Sequence, residues 1–581
     1  MGSIACTPST AKRSPSATVS TPTATRCSSC PEPIRSCGEI CVSNAGFVDE
    51  PGRSMRLDQL ISGLNVTNAT PSVDLASIRV CDVTEDSRTA VPGSLFIARA
   101  GTRDQGMHYI EPAIQCGSVA VLTENDSVGH IELPMRSKVV LLGCDDPVRV
   151  AAQIAERFYD HPASKLICAG VTGTNGKTTI THLTHQLVEG AGVRCGLIGT
   201  VEIDDGRERS RASMTTPPAL ELSRTLATMH EHDCKAVVME VSSHALDQHR
   251  TGAIRFAATA FTNLTGDHLD YHLTLDHYRS SKAKLFASLT ESGLAAINIE
   301  DEHAQFMIDA CPEGAHVVRC GHDEHLDAWV RVEDESIQGT RMTLHTPLGV
   351  FEAKVPVFGA YNAMNTLQSV LMAQEVLTRA GVPEADQHAA IQQELPKLKL
   401  PMGRMEHCES VGDDLTVLVD FAHTDDALRS ALSGVKRVLR DGAKLWCIFG
   451  CGGNRDQTKR PRMGQAVAQF ADHIIVSSDN PRTESPSAII DQVLAGIDPD
   501  RRAAVQVQAD RATAIHDAIL DAQPGDVIVI TGKGHETEQI LPDGRGGTRT
   551  IHFDDREHAG IALRERRMRF PTADARRAGA S

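Results

Sequence analysis

The sequence predicts an α/β chain of three domains built on parallel sheets. Three observations predict it. Short apolar runs alternate with helix-forming stretches along most of the chain, which is the pattern of strand–helix–strand units. Six of the runs end in polar, chemically loaded segments, as expected where ligands sit beyond the carboxyl ends of parallel strands. The length, 581 residues, suits three or four domains of roughly 150 residues.

Residues 1–50 are Ser/Thr/Pro-rich and read as a disordered tail. Cys27-x-x-Cys30 followed by Cys37-x-x-x-Cys41 has a spacing that thiolate zinc sites use, but it lacks an apolar framework. The small N-terminal α/β domain, 51–160, carries strand-like runs at Ile78–Val83, Ser94–Ala98 and Ser118–Leu122, then the helix-like Pro147–Phe158. His161-Pro-Ala-Ser reads as a linker.

The central domain, 161–398, holds Leu166–Val171, Ala236–Met239 and Phe256–Phe261 as buried-type strands. The C-terminal domain, 399–570, holds Leu445–Phe449, Ile474–Val476 and Val527–Ile530, and residues 571–581 form a tail. The Arg-rich stretch Arg564–Arg577 reads as a frayed helix running into that tail.

Composition excludes several functions. With 58 Lys+Arg against 75 Asp+Glu the formal charge is −17, so no global field recruits nucleic acid or anionic lipid. Aromatics at 4% are too few for stacking platforms on single strands. No apolar run approaches a membrane span, and Met1–Arg13 lacks the apolar core of a signal peptide, so a cytoplasmic setting is expected. The cysteines beyond the tail are scattered in apolar runs and read as reduced core filler.

Gly173-Thr174-Asn175-Gly176-Lys177-Thr178-Thr179 lies between a buried-type strand and an amphipathic helix that stops at Gly190. Glycines let a backbone wrap a phosphate, and the helix start adds N–H donors. Lys177 would reach the β/γ-phosphates and the Thr178 hydroxyl would ligate Mg²⁺. Position 171 is Val rather than the usual first Gly, so a Gly-rich turn with an incidental Lys is the bland alternative. Glu240, after Val237-Val-Met, suits Mg²⁺ held opposite the loop, although a strand-end Glu is more often solvated or paired. Asp267-His268-Leu-Asp270-Tyr-His272 packs four ionisable groups into six residues, and spacing alone does not choose between a site and a polar loop.

Taken together, Val171–Thr179, Met239-Glu-Val-Ser-Ser-His-Ala-Leu246, Phe261–His272, Asp420–Leu428, Phe449–Asp456, Asp479-Asn-Pro-Arg482 and Gly532-Lys-Gly-His-Glu536 resemble the Mur ligases, from about Thr84 to Arg556. The resemblance implies a central P-loop mononucleotide-binding domain and a C-terminal Rossmann-like one. It implies an ADP-forming ligase that phosphorylates the free carboxylate of UDP-MurNAc-L-Ala-D-Glu and lets an amine attack the acyl phosphate. Glu240 and His268 match the family's metal positions, and Lys282 matches its carbamylated lysine; these three and Lys177 carry the catalytic expectation. From the residues alone Lys282 passes for a solvent-facing helical lysine.

By the same resemblance Asn362, Asn365, Arg404, Asp420 and His423 contact ATP, and Ser87, Thr215, Thr216, Ser242, Gln248 and Arg250 contact the UDP-muramoyl dipeptide. Arg455, Asp479, Asn480, Pro481, Arg482, Gly532 and Glu536 match contacts to meso-diaminopimelate. A guanidinium fork at Arg482 suits the distal carboxylate, and Asp479 and Glu536 suit the ammonium. An L-lysine-adding ligase, a folylpolyglutamate-type synthase and an inactive nucleotide-binding scaffold are the alternatives. The chain departs from the family pattern at Met214, Gly266, Phe421 and Asp425.

Overall fold

The computed structural model describes residues 53–99, 106–131, 138–409 and 413–570. The tail, with Cys27, Cys30, Cys37 and Cys41, and residues 571–581 lie outside the described residues. The rest is built on three main sheets. The first has five strands, ordered Thr67–Asn68, Val140–Cys144, Ala120–Glu124, Ser94–Ile97, Asp82–Thr84, and is parallel except at the short Thr67–Asn68 edge. Helix Pro147–Phe158 follows it, with Asp146 accepting from Arg149 N at 3.0 Å as its N-cap and Pro at the first turn.

The central sheet has eleven strands. Its middle is parallel: Cys195–Ile198, Ala236–Glu240, Ile167–Thr172, Phe256–Phe261, Leu289–Asn298 and His316–Gly321. Register brings Glu240 level with Val171 and Phe261 level with Thr172, so the ends of three strands open at one place. Helices Lys177–Gly190 and Ala360–Arg379 pack on these strands through Ile180, Leu183, Leu187, Leu367, Val370 and Leu371, all buried.

The parallel sheet that the sequence predicts carries antiparallel additions at both edges. Glu202–Asp204 and Arg209–Arg211 form a hairpin at one edge. At the other, Ala328–Ser336, Gly339–Thr346 and Gly349–Val355 form an antiparallel meander. Gly339 (φ +140°) and Gly349 (φ +133°) close its two tight turns, and a hairpin needs no crossover helix.

The third sheet runs Glu406–His407, Thr416–Asp420, Val527–Thr531, Leu445–Phe449, His473–Val476, Gln506–Val507, parallel after its first short strand. The Arg-rich end is not frayed as far as Arg569. Helix Asp555–Arg569 buries Ala559, Ala562 and Leu563, and Arg566 grips Asp414 with two 2.8 Å hydrogen bonds. Arginines on one face of a helix can be anchors rather than a solvated stripe. Seven of the described cysteines are buried and all are free thiols. Among the described residues no helix is long and apolar enough to cross a membrane.

Candidate active site

The phosphate-loop sequence forms the expected turn between strand Ile167–Thr172 and helix Lys177–Gly190. Gly173 has φ +150°, and a Cβ there would meet Thr262 Oγ1 at 1.8 Å, so only glycine permits the close approach of the two strand ends. Lys177 Nζ donates to Gly173 O and Thr174 O, both at 2.9 Å, folding back over the loop. Thr174 and Asn175 are tied to the next strand end through Asn263 and Thr265.

Glu240 is fully buried and accepts three hydrogen bonds, from Thr178 Oγ1 at 3.0 Å, Thr200 N at 2.6 Å and Thr200 Oγ1 at 3.0 Å. A buried carboxylate costs heavily unless hydrogen-bonded, and these donors supply that. The solvated alternative for Glu240 does not hold.

Lys282, on helix Leu275–Ala287, is 1% exposed, which corrects its reading as a surface lysine. That helix buries Tyr278, Ser281, Leu285 and Phe286, and Lys282 shares their face. Its Nζ donates to Gly173 O at 2.7 Å and stands 4.5 Å over the Tyr278 ring. Burial and then the nearby Lys177 push its pKa well below the ordinary lysine value. His268, in the left-handed region at φ +57°, lies 3.6 Å from Asp267 with its ring 4.9 Å from that of His244, and burial pushes it down.

Three cavities surround this centre. The first, about 450 Å³, is lined by Asn175, Gly176, Thr178, Thr179, Asn362 and Asn365 from the central sheet's elements and by Arg404, Asp420, Phe421 and His423 from the third sheet's. Asn365 Nδ2 donates to Asn362 Oδ1 at 3.1 Å, and Asn362 Nδ2 donates to Phe358 O at 2.9 Å. Asp420 fixes the Arg404 segment by accepting from Met405 N at 2.8 Å. Phe421 keeps a flat ring 4.6 Å from the Arg404 guanidinium, and Asp425 opens helix Asp425–Val438, where an acid favours the N-terminal dipole.

The second cavity, about 730 Å³, lies between the first sheet and the central one and includes Gln248 and Arg250 with Glu85, Arg99, Tyr109 and Tyr271. Arg250 donates to Gln248 Oε1 at 2.8 Å, to Thr216 O at 2.6 Å and to Met214 Sδ at 3.4 Å. Met214 therefore offers a weak thioether acceptor in place of an amide. Thr216 Oγ1 bridges Glu240 O at 2.8 Å and Ser242 N at 3.1 Å, and Thr215 receives Thr200 Oγ1 at 3.0 Å. Ser242 caps helix Ser243–Asp247. Ser87 is buried in the turn after Asp82–Thr84 and does not line this cavity; neither do Thr215, Thr216 and Ser242. Gly266 has open space around it.

The third cavity, about 310 Å³, brings Arg455, Asp479, Asn480, Arg482, Gly532 and Glu536 together with Asp267 and His268. Arg482 has φ +54°, a strained position for a residue with a Cβ, and Gly452 leaves room for it beside Arg455. Its Nη1 donates to Gly453 O at 2.8 Å. Neither Arg455 nor Arg482 has a carboxylate within 4 Å among the described residues. Burial and the neighbouring Arg455 push Arg482 down. Asp479 is 7% exposed with Oδ1 unpartnered, and burial pushes its carboxyl up. Pro481 stays out of the lining, with its carbonyl packed against Gly453.

Sequence reasoning passed over His244 and Lys459, which line the third cavity, and Lys533, buried beneath it. His244 and Lys533 sit inside quoted motifs; Lys459 carries no sequence signal at all.

Known proteins are similar to this chain in sequence and fold. The Mur ligase middle domain matches residues 171–373, and the Mur ligase glutamate ligase domain matches 403–534. The chain is 39% identical over 514 residues to the UDP-N-acetylmuramoyl-L-alanyl-D-glutamate--2,6-diaminopimelate ligase of Synechococcus elongatus, covering 88% of this chain and 99% of that one. Identity is 40% over 518 residues to the ligase of the same name from Gloeobacter violaceus, covering 89% and 99%. A solved structure of a ligase with that name superposes with a TM-score of 0.60 at 30% identity, covering 88% and 99%. MurF from Acinetobacter baumannii, 16% identical with a TM-score of 0.59 over 83% and 96% of the two chains, shares the fold. By identity, coverage and the matched domains, this chain belongs to the Mur ligase family.

Proposed function

We propose that this chain is an ATP-dependent ligase that joins meso-2,6-diaminopimelate to UDP-MurNAc-L-Ala-D-Glu, a step of peptidoglycan precursor synthesis. The carrying observation is the third cavity: two arginines without carboxylate partners among the described residues share its lining with Asp479, Glu536 and His268. That arrangement suits an amino-acid end bearing both a carboxylate and an ammonium. L-Lysine would leave the half-buried guanidinium of Arg482 without a carboxylate partner, which disfavours it.

A carboxylate is a poor electrophile until phosphate becomes its leaving group. Its oxygen attacks the γ-phosphorus of ATP, ADP departs, and an acyl phosphate forms. The amine then attacks the acyl carbon, phosphate leaves, and the nitrogen loses a proton. Lys177 and the loop N–H groups hold the nucleotide phosphates, while Arg404 reaches the same place from the third sheet. Asn362, Asn365, Asp420 and His423 shape the nucleotide cavity. Thr178, Glu240, His268 and a carbamylated Lys282 would hold Mg²⁺, which when bound screens the phosphate oxygens. The donor set fits: a buried carboxylate, a hydroxyl, an imidazole and an amine whose lowered pKa favours reaction with CO₂.

We assign the second cavity, with Gln248, Arg250 and the Thr216 contact, to the UDP-muramoyl dipeptide. Ser87, Thr215 and Ser242 act at its margin. We draw the domain boundaries at 160 and 398, consistent with the strands of the three sheets. Phosphate release measured with meso-diaminopimelate, L-lysine or glutamate as the amine tests the assignment. Release with meso-diaminopimelate is expected; equal or faster release with lysine would overturn the substrate.

A further inference from the structure

Lys533 lies in the turn after strand Val527–Thr531, between Gly532 (φ +113°) and Gly534 (φ +56°). Its side chain is fully buried. A buried ammonium persists only where acceptors surround it. Its Nζ donates to Glu536 Oε2 at 3.0 Å, to Asn480 Oδ1 at 3.3 Å and to Glu538 O at 2.5 Å, and stands 3.9 Å from Asp479 Oδ1. Three of these four partners line the third cavity, whereas Lys533 does not.

The contacts interlock. Asn480 Nδ2 donates to the same Glu536 Oε2 at 2.8 Å, and Asn480 Oδ1 also accepts from Ile540 N at 2.9 Å. Glu536 is thus pinned by one oxygen, and its Oε1 carries no hydrogen bond among the described residues. Asp479 Oδ1 is likewise buried without a hydrogen bond, its ammonium neighbour standing 3.9 Å away. One cation behind two carboxylates leaves a net single negative charge, the match for one ammonium. Arg455 and Arg482 lie across the same cavity for the carboxylate.

We infer that Lys533 is a positioning residue that presets Glu536, Asn480 and Asp479 to receive the ammonium of the amino-acid substrate. The inference rests on the ligase reading above. Lys533 touches no substrate; it acts through the side chains it holds.

The test uses the full chain and two variants. Lys533→Met removes the cation at similar volume. Lys533→Arg keeps a cation but replaces a point charge by a planar fork that cannot repeat the three contacts. In both, KM for meso-diaminopimelate is expected to rise, by roughly 10- to 100-fold for Lys533→Met, the scale of a lost charge-assisted hydrogen bond. KM for ATP and for the UDP-dipeptide stays within about twofold, and borohydride trapping, which reads acyl phosphate before any amine arrives, is unchanged. An unchanged diaminopimelate KM in either folded variant overturns the inference. So does a parallel rise in all three KM values with a lower melting temperature, or failure of both variants to fold, since each assigns Lys533 to stability. Wild type that releases no phosphate with meso-diaminopimelate would instead sink the ligase reading.

Discussion

Arg404 donates through Nη2 to Thr178 Oγ1 at 3.0 Å, joining residues 226 positions apart and tying the third-sheet unit to the phosphate loop. Thr178 in turn donates to Glu240, so one hydroxyl sits between a guanidinium and the buried carboxylate. Arg211 Nη1 makes a second tie, to Thr537 Oγ1 at 2.6 Å. These contacts accompany a first cavity whose walls come from both units, the arrangement expected if the units close on a ligand there.

Arg404→Ala removes the tie and a cation proposed to reach the ATP phosphates. KM for ATP should rise by roughly tenfold or more, the scale of one charge-assisted hydrogen bond. Small-angle scattering should show a larger radius of gyration for the variant than for wild type with ATP bound. An unchanged KM together with unchanged scattering would remove Arg404 from both roles.

Lys282→Ala removes the buried amine that meets Gly173 O, and with it the site of the proposed carbamate. Turnover should fall by roughly 10²-fold or more, as when a group that stabilises the reacting charge is lost. A short carboxylic acid added to the assay should restore part of it by entering the vacated space. Full activity without the acid would exclude Lys282 from the mechanism.

Arg482→Ala leaves Arg455 alone opposite Asp479 and Glu536. The KM for meso-diaminopimelate should rise by roughly 10- to 100-fold, with affinity for the UDP-dipeptide retained, because the second cavity shares no lining residue with the third. Calorimetry of each substrate separates the two. Equal losses would mean that Arg482, strained at φ +54°, holds the loop rather than the ligand.

The parallel strands were legible because burial on both faces leaves continuous apolar runs, as in Ala236–Met239 and Val527–Ile530. Pro147–Phe158 was legible to the residue because Asp146 and Pro147 start it explicitly. The meander over 328–355 was not, since its strands mix exposed and buried positions irregularly, with charged residues such as Arg331 and Asp334 inside one of them. Lys282 looked like a surface lysine because burial depends on which helix face meets the sheet. Tyr278, Leu285 and Phe286 stand one turn away on that same face, but the adjacent Ser280, Ser281 and Lys284 make the segment read as polar. Lys533 was hidden for the same reason: its partners Asn480 and Glu538 come from distant or backbone groups.

The anchoring of the last helix gives a prediction with a pH sign. Asp414 is held below the usual carboxylate range by the Arg566 guanidinium, which contacts both its oxygens at 2.8 Å. In the unfolded chain this carboxyl returns to its ordinary value and binds a proton more readily. Stability therefore rises with pH wherever the unfolded state holds the extra proton. The increment is complete above the unfolded pKa and is lost as pH falls through the lowered native one. Asp414→Asn should cost about 1.5–3 kcal/mol at pH 7, the range for a hydrogen bond to a charged group. That gap should close on acidification, with wild type and variant converging below the native pKa. Urea unfolding at a series of pH values measures it. A gap that stayed constant down to that range would mean the Asp414 charge contributes nothing to holding the helix.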